Sequence, residues 1–118
     1  MDFEERAERW AISCFGPKIV QDKVERSHRF MEEAIELVQA CGTTKDEVLQ
    51  LVDYVYNRPD GEIYQEVGGV LNTLALLCNA HDVKMMEAGH VELDRCWAKS
   101  PQIREKQANK PKFSPLPE

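Results

Sequence analysis

Apolar positions recur at three- and four-residue intervals through most of this chain, and nowhere alternate with period two for long enough to build a sheet. The pattern predicts helices throughout and an all-α fold. A first amphipathic helix runs from about Phe3 to Phe15 and stops at Gly16-Pro17. A long second helix follows from about Ile19 to Ala40, with Gly42 as its stop. Thr44-Lys45-Asp46-Glu47 is a capping box that opens a third helix, which reaches about Tyr56. The run Asn57-Arg58-Pro59-Asp60-Gly61 is the clearest turn. A fourth helix covers about Glu62 to Ala80 and a fifth about Lys84 to Lys99. Ser100 as a cap and Pro101 at the first helical position start a short sixth. Residues 1–108 thus read as a single all-α domain. Residues 109–118 carry three prolines and little to bury, which predicts an extended, Pro-rich C-terminal tail.

The fourth helix departs from simple amphipathicity. Val67, Val70, Leu71, Leu74, Ala75, Leu76, Leu77 and Cys78 cover nearly its whole circumference, the mark of a helix enclosed on all sides. A chain of 118 residues has difficulty surrounding a helix by itself. A bundle completed by oligomerisation is therefore expected, as a homodimer or a homotetramer.

Composition narrows the function classes. The chain is 42% hydrophobic and 31% charged, which suits a packed core inside a soluble surface. Its apolar stretches are broken by charge well short of a membrane span. The acidic opening MDFEERAERW does not resemble a signal peptide, so a cytoplasmic location is expected, or a host's cytoplasm for a phage-encoded chain. A net charge of −6 argues against polymeric nucleic acid as a partner, though not against small phosphate esters bridged by a metal. Cys14, Cys41, Cys78 and Cys96 are widely spaced without a CxxC pair, which speaks for buried free thiols rather than zinc or disulfides.

Candidate chemistry lies on the second helix. At about 100° per residue, Glu32, Glu33 and Glu36 fall within an arc of roughly 100°, with His28 and Arg29 flanking it one turn earlier. Phe30, Ala34, Leu37, Val38 and Cys41 take the other side. Glu32 and Glu36 are like charges one turn apart, and no lysine follows any of the three glutamates at i+4. Grouped carboxylates of this kind suit a hard divalent cation, Mg²⁺ or Mn²⁺; the plainer reading is a solvated helix face. Glu66 adds to them at the head of the apolar fourth helix, beside Gly68 and Gly69, where two glycines permit close backbone approach. An ion pair to an arginine is the plain alternative for Glu66.

Glu33-x-x-Glu36 on one helix, then Glu66-Val67-Gly68-Gly69-Val70-Leu71 leading the next apolar one, resembles the MazG-like family of NTP pyrophosphohydrolases. That family pairs an ExxE motif with a later ExxD motif. The match extends over about Val24 to Lys99 and departs at Gly69, where the family places an aspartate. The resemblance implies an all-α NTP pyrophosphohydrolase that cleaves between the α- and β-phosphates of a nucleoside triphosphate, releasing a monophosphate and pyrophosphate. It implies Mg²⁺ or Mn²⁺ on Glu33, Glu36 and Glu66, with Asp94, Glu32 or Asn72 making good the missing aspartate. Glu32 is the preferred acceptor of the water's proton.

The last quarter of the acidic chain is rich in base: Arg95, Lys99, Arg104, Lys106, Lys110 and Lys112. Such runs are commonly plain surface, but Arg95, Lys99 and Arg104 are candidates for clamping phosphates. Trp10, His28 and Asn72 are candidates for contacting the base, with a slight lean to purines such as dGTP. Two other readings compete. His81-Asp82 invites an HD-type phosphohydrolase drawing on His28 and Asp94. A non-catalytic helical interaction module would leave the carboxylates as surface charge.

Overall fold

The computed structural model describes residues 2–110, which form seven helices and no strand. They are α1 (Phe3–Phe15), α2 (Pro17–Gln21), α3 (Lys23–Ala40), α4 (Lys45–Tyr56), α5 (Ile63–Ala80), α6 (Met85–Ala98) and α7 (Ser100–Ala108). The all-α expectation holds. No helix among the described residues is long and apolar enough to cross a membrane.

Two boundaries differ from the sequence reading, each for a local reason. The expected single helix over Ile19–Ala40 is instead two. Asp22 adopts an extended conformation and its carboxylate accepts a hydrogen bond from the Glu25 N–H at 3.1 Å, which caps α3 and separates it from the short α2. Ser100 is not a cap but the first residue of α7, and Lys99 holds the capping position. The Ser100 hydroxyl donates back to the Cys96 carbonyl at 3.0 Å and accepts from the Trp10 indole N–H at 3.2 Å. Asn109 and Lys110 close α7 in a turn; residues 111–118 of the expected tail lie outside the described part.

The chain divides into two compact units. The first joins residues up to Ser27 with those from Val83 onward, and α1 is its centre, packed on α2, α6 and α7. The three buried residues of the described chain, Cys14, Leu93 and Gln107, all belong to it. Gly89 lets α1 approach α6 closely: a Cβ there would lie 2.8 Å from the Phe3 ring, which stands edge-on to His90 with centroids 5.1 Å apart. At the other end of α1, Trp10 meets Phe15 edge-on at 5.5 Å, and the Arg104 Nε donates to the Cys14 carbonyl at 2.8 Å. That carbonyl is one of those left unpaired in the last turn of a helix, so a guanidinium answers both its hydrogen bond and the negative end of the helix dipole.

The second unit, His28–Asp82, holds the rest of α3 with α4 and α5. The capping box forms as expected: the Thr44 hydroxyl accepts from the Glu47 N–H at 3.2 Å, and the Glu47 carboxylate accepts from the Thr44 N–H at 3.0 Å. The Thr44 N–H, and after it the Thr44 hydroxyl, which also donates to that carboxylate at 3.0 Å, hold the Glu47 carboxyl below its ordinary value of 4.5. The enclosure expected for α5 is not supplied by the chain itself. None of its residues is buried, and Ile63 and Tyr64 are 84% and 87% exposed. Between α3 and α4 runs an open apolar groove of about 430 Å³, lined by Phe30, Met31 and Ile35 on one side and Leu51, Val52 and Val55 on the other.

Candidate metal and phosphate site

Glu32, Glu33 and Glu36 project from one face of α3, and Glu66 from the first turn of α5, all within the second unit. Glu33, Glu36 and Glu66 are exposed; Glu32 is half-buried. The Arg29 guanidinium donates to Glu32 at 3.0 Å from one turn earlier, so a basic group does face this arc, from the N-terminal side rather than as the lysine sought at i+4.

Glu66 follows a turn that ends in extended backbone at Glu62, whose carbonyl accepts the Glu66 N–H at 2.9 Å. A carboxylate in a first helical turn sits at the positive end of the dipole. Its side chain folds back over the turn: one oxygen occupies the space where a Cβ on Gly61 would stand, and the other is 4.0 Å from the Cβ position of Gly69. No arginine pairs with Glu66 among the described residues, so the ion-pair alternative finds no support there. Gly68 has nothing within 4 Å of its Cβ position, an open face on α5.

The donor chemistry suits Mg²⁺ or Mn²⁺, since Glu33, Glu36 and Glu66 offer only carboxylate oxygens. The donors are not gathered, however. No group of three or more His, Cys, Asp or Glu side chains among the described residues is close enough to hold a metal ion. One chain therefore does not present Glu33, Glu36 and Glu66 as a preformed three-ligand site.

The remaining candidates are distributed as follows. Asp94 belongs to the first unit and accepts from Arg6 at 2.8 Å; the same guanidinium reaches the Nδ1 of His90. Arg95 is engaged with Glu92, through an Nε bond of 2.9 Å among others, and holds that carboxyl below 4.5. Arg104 caps α1 through Cys14. Lys99 is exposed at the end of α6, Asn72 is exposed on α5, and His28 is half-buried on α3. Trp10 is fixed to Ser100 and Phe15 and serves the packing of the first unit. Of the His-Asp pair, His81 caps the end of α5 and Asp82 follows it as a turn residue with a left-handed φ of 56°. Arg6 and Arg29, the partners of Asp94 and Glu32, were not singled out as such from the sequence, nor was Gly61 as a neighbour of Glu66.

No protein-family model matches the chain, and no curated protein or solved structure matches it significantly.

Proposed function

We propose that the chain is a metal-dependent nucleoside triphosphate pyrophosphohydrolase that works as a homo-oligomer. The observation that carries this reading is the state of the second unit: two carboxylate-bearing helices, α3 and α5, whose apolar residues are left uncovered. Sixteen large apolar residues of this unit are exposed, from Phe30 to Leu76. Half of these on each of two copies, at about 1 kcal/mol for each half-exposed side chain, would contribute about 16 kcal/mol. After an association cost of about 8 kcal/mol, the remainder corresponds to a dimer of roughly micromolar dissociation constant. Association would also bring in carboxylates from a second α3 or α5, which answers the ungathered donors of one chain. A homodimer or homotetramer is proposed on this ground.

In the proposed reaction Glu33, Glu36 and Glu66 would hold Mg²⁺ or Mn²⁺. The ion's contribution is to offset the charge of the triphosphate and make a bound water acidic. Glu32, oriented by Arg29, accepts the proton of the water that attacks the α-phosphorus, and pyrophosphate leaves. Among the basic candidates of the first unit, Arg95 and Arg104 are already engaged with Glu92 and Cys14, and Lys99 has the least structural employment. His28 and Asn72 are the candidates for contacting the base, for which a purine such as dGTP is proposed.

Replacing Glu33 and Glu36 together by Gln tests the assignment. Metal-dependent release of pyrophosphate should vanish while helicity and association survive. Equal hydrolysis by wild type and the double variant would remove these carboxylates from the chemistry. A wild type that associates but neither binds metal nor turns over nucleotide would instead establish the interaction-module reading.

A further inference from the structure

The helix pairs that pack extensively belong to the first unit; no two of α3, α4 and α5 are packed in the way α1 is on α2, α6 and α7. The second unit nevertheless carries both halves of an apolar contact. The groove between α3 and α4 has no charged residue in its lining, and Phe30, Met31, Ile35, Leu51, Val52, Val55 and Tyr56 on its walls are exposed. On α5, Ile63, Val67, Val70 and Leu71 are exposed as well and fall within an arc of about 100°, a ridge bordered by the exposed Tyr64. Only six residues join α4 to α5, and short connections commonly fold a helix back on its neighbour; here α5 leaves the groove of its own chain open. A lone helix as short as α4, with 12 residues, is marginal in water, so this unit needs cover.

We propose that α5 of one copy occupies the α3–α4 groove of a second copy, and the second copy's α5 the groove of the first, in a two-fold pair. The inference rests on the proposed homo-oligomer and names the surfaces that meet in it. A second copy fits better than a different protein because ridge and groove match in chemistry, and one chain leaves both open. A two-fold axis closes both at once and leaves neither for another partner. An uncharged groove also offers nothing to pair with a phosphate or an acidic peptide. The area suffices: seven exposed residues of the groove and five of α5, at about 50 Å² of apolar surface each, give about 1,200 Å² over two copies, the lower end of specific interfaces.

The test is molar mass by light scattering and sedimentation of the full chain, in wild type, V52D in the groove, V67K on the ridge, and an equal mixture of the two variants. An unpaired charge buried in each contact should weaken self-association of either variant by about a hundredfold or more. The mixture should recover the wild-type mass, because one contact then pairs the two new charges and the other is wild type. The swapped set, V52K with V67D, is held to the same result. Trp10 and Trp97 both lie in the first unit, and their fluorescence checks that it stays folded in every variant. Wild-type mass in V52D beside a dissociated V67K would show that α5 meets another surface, and would overturn the proposal. Dissociated variants whose mixtures stay apart in both sets would also overturn it, while leaving the homo-oligomer standing. A wild type that remains a single chain would remove the homo-oligomer and the inference with it, and give the groove to a different occupant.

Discussion

Arg104 separates two uses of one cation. Its basic setting late in the chain makes it a candidate for phosphate, whereas its Nε donates to the Cys14 carbonyl at 2.8 Å, in the last turn of α1. Arg104→Met keeps the length and apolar stem of the side chain and removes the donor and the charge. A hydrogen bond to a charged group contributes about 1.5–3 kcal/mol, and a cation at a helix C-terminus about 0.3–1 kcal/mol. Arg104 itself is exposed, which places the combined loss near the low end, about 2 kcal/mol. At about 4 °C per kcal/mol for a chain of this size, the melting temperature should fall by about 8 °C. Arg104→Lys keeps the charge without the guanidinium's fixed donors and should recover only the dipole part, about 0.3–1 kcal/mol. The assay is thermal and urea unfolding by circular dichroism at one protomer concentration, because an associating chain has a concentration-dependent midpoint. Unchanged stability in R104M would refute the capping role. If nucleotide turnover fell at the same time, the phosphate role would take its place.

Glu47 has its carboxyl held below 4.5 by the capping box, so its contribution to folding is present above that value and is lost as pH falls through the lowered one. Glu47→Gln should flatten the pH dependence of unfolding below 4.5, and an unaltered dependence would show that other carboxylates govern it. Gly69→Asp places a carboxylate beside the Glu66 Oε1, and should tighten Mn²⁺ binding by about tenfold if Glu66 is a ligand; calorimetry reads this directly, and weakened binding would mean that the second carboxylate only repels the first. Leu71→Lys puts a charge on the uncovered face of α5. It should lower the molar mass seen by light scattering while leaving the first unit's helices intact, and unchanged mass would exclude this face from the proposed interface.

Much of the helical plan is legible in short stretches because its signals act over three or four residues. Thr44 and Glu47 satisfy each other's backbone groups, and Gly16-Pro17 breaks the chain whatever surrounds it. The break at Asp22 also has a local signal, Asp22-Lys23-Val24-Glu25, but the apolar rhythm of Ile19, Val20 and Val24 runs across it and masks it. The face shared by Glu32, Glu33 and Glu36 follows from helical geometry alone. Pairings between distant segments carry no such signal: Arg6 and Asp94 are 88 residues apart, and nothing near either announces the other. The apolar circumference of α5 reads as enclosure, yet periodicity describes a helix and not its neighbours, so it could not say that the chain itself leaves this helix uncovered.

The central claim is the chemistry, and product analysis tests it most directly. The full chain is incubated with each of a panel of ribo- and deoxyribonucleoside triphosphates and Mg²⁺ or Mn²⁺, and the products are separated by chromatography. The account predicts monophosphate and pyrophosphate from one or a few of the panel, and neither product when metal is chelated. Nucleoside with intact triphosphate would contradict it in favour of an HD-type reaction, and no turnover with either metal would contradict it in favour of a helical interaction module.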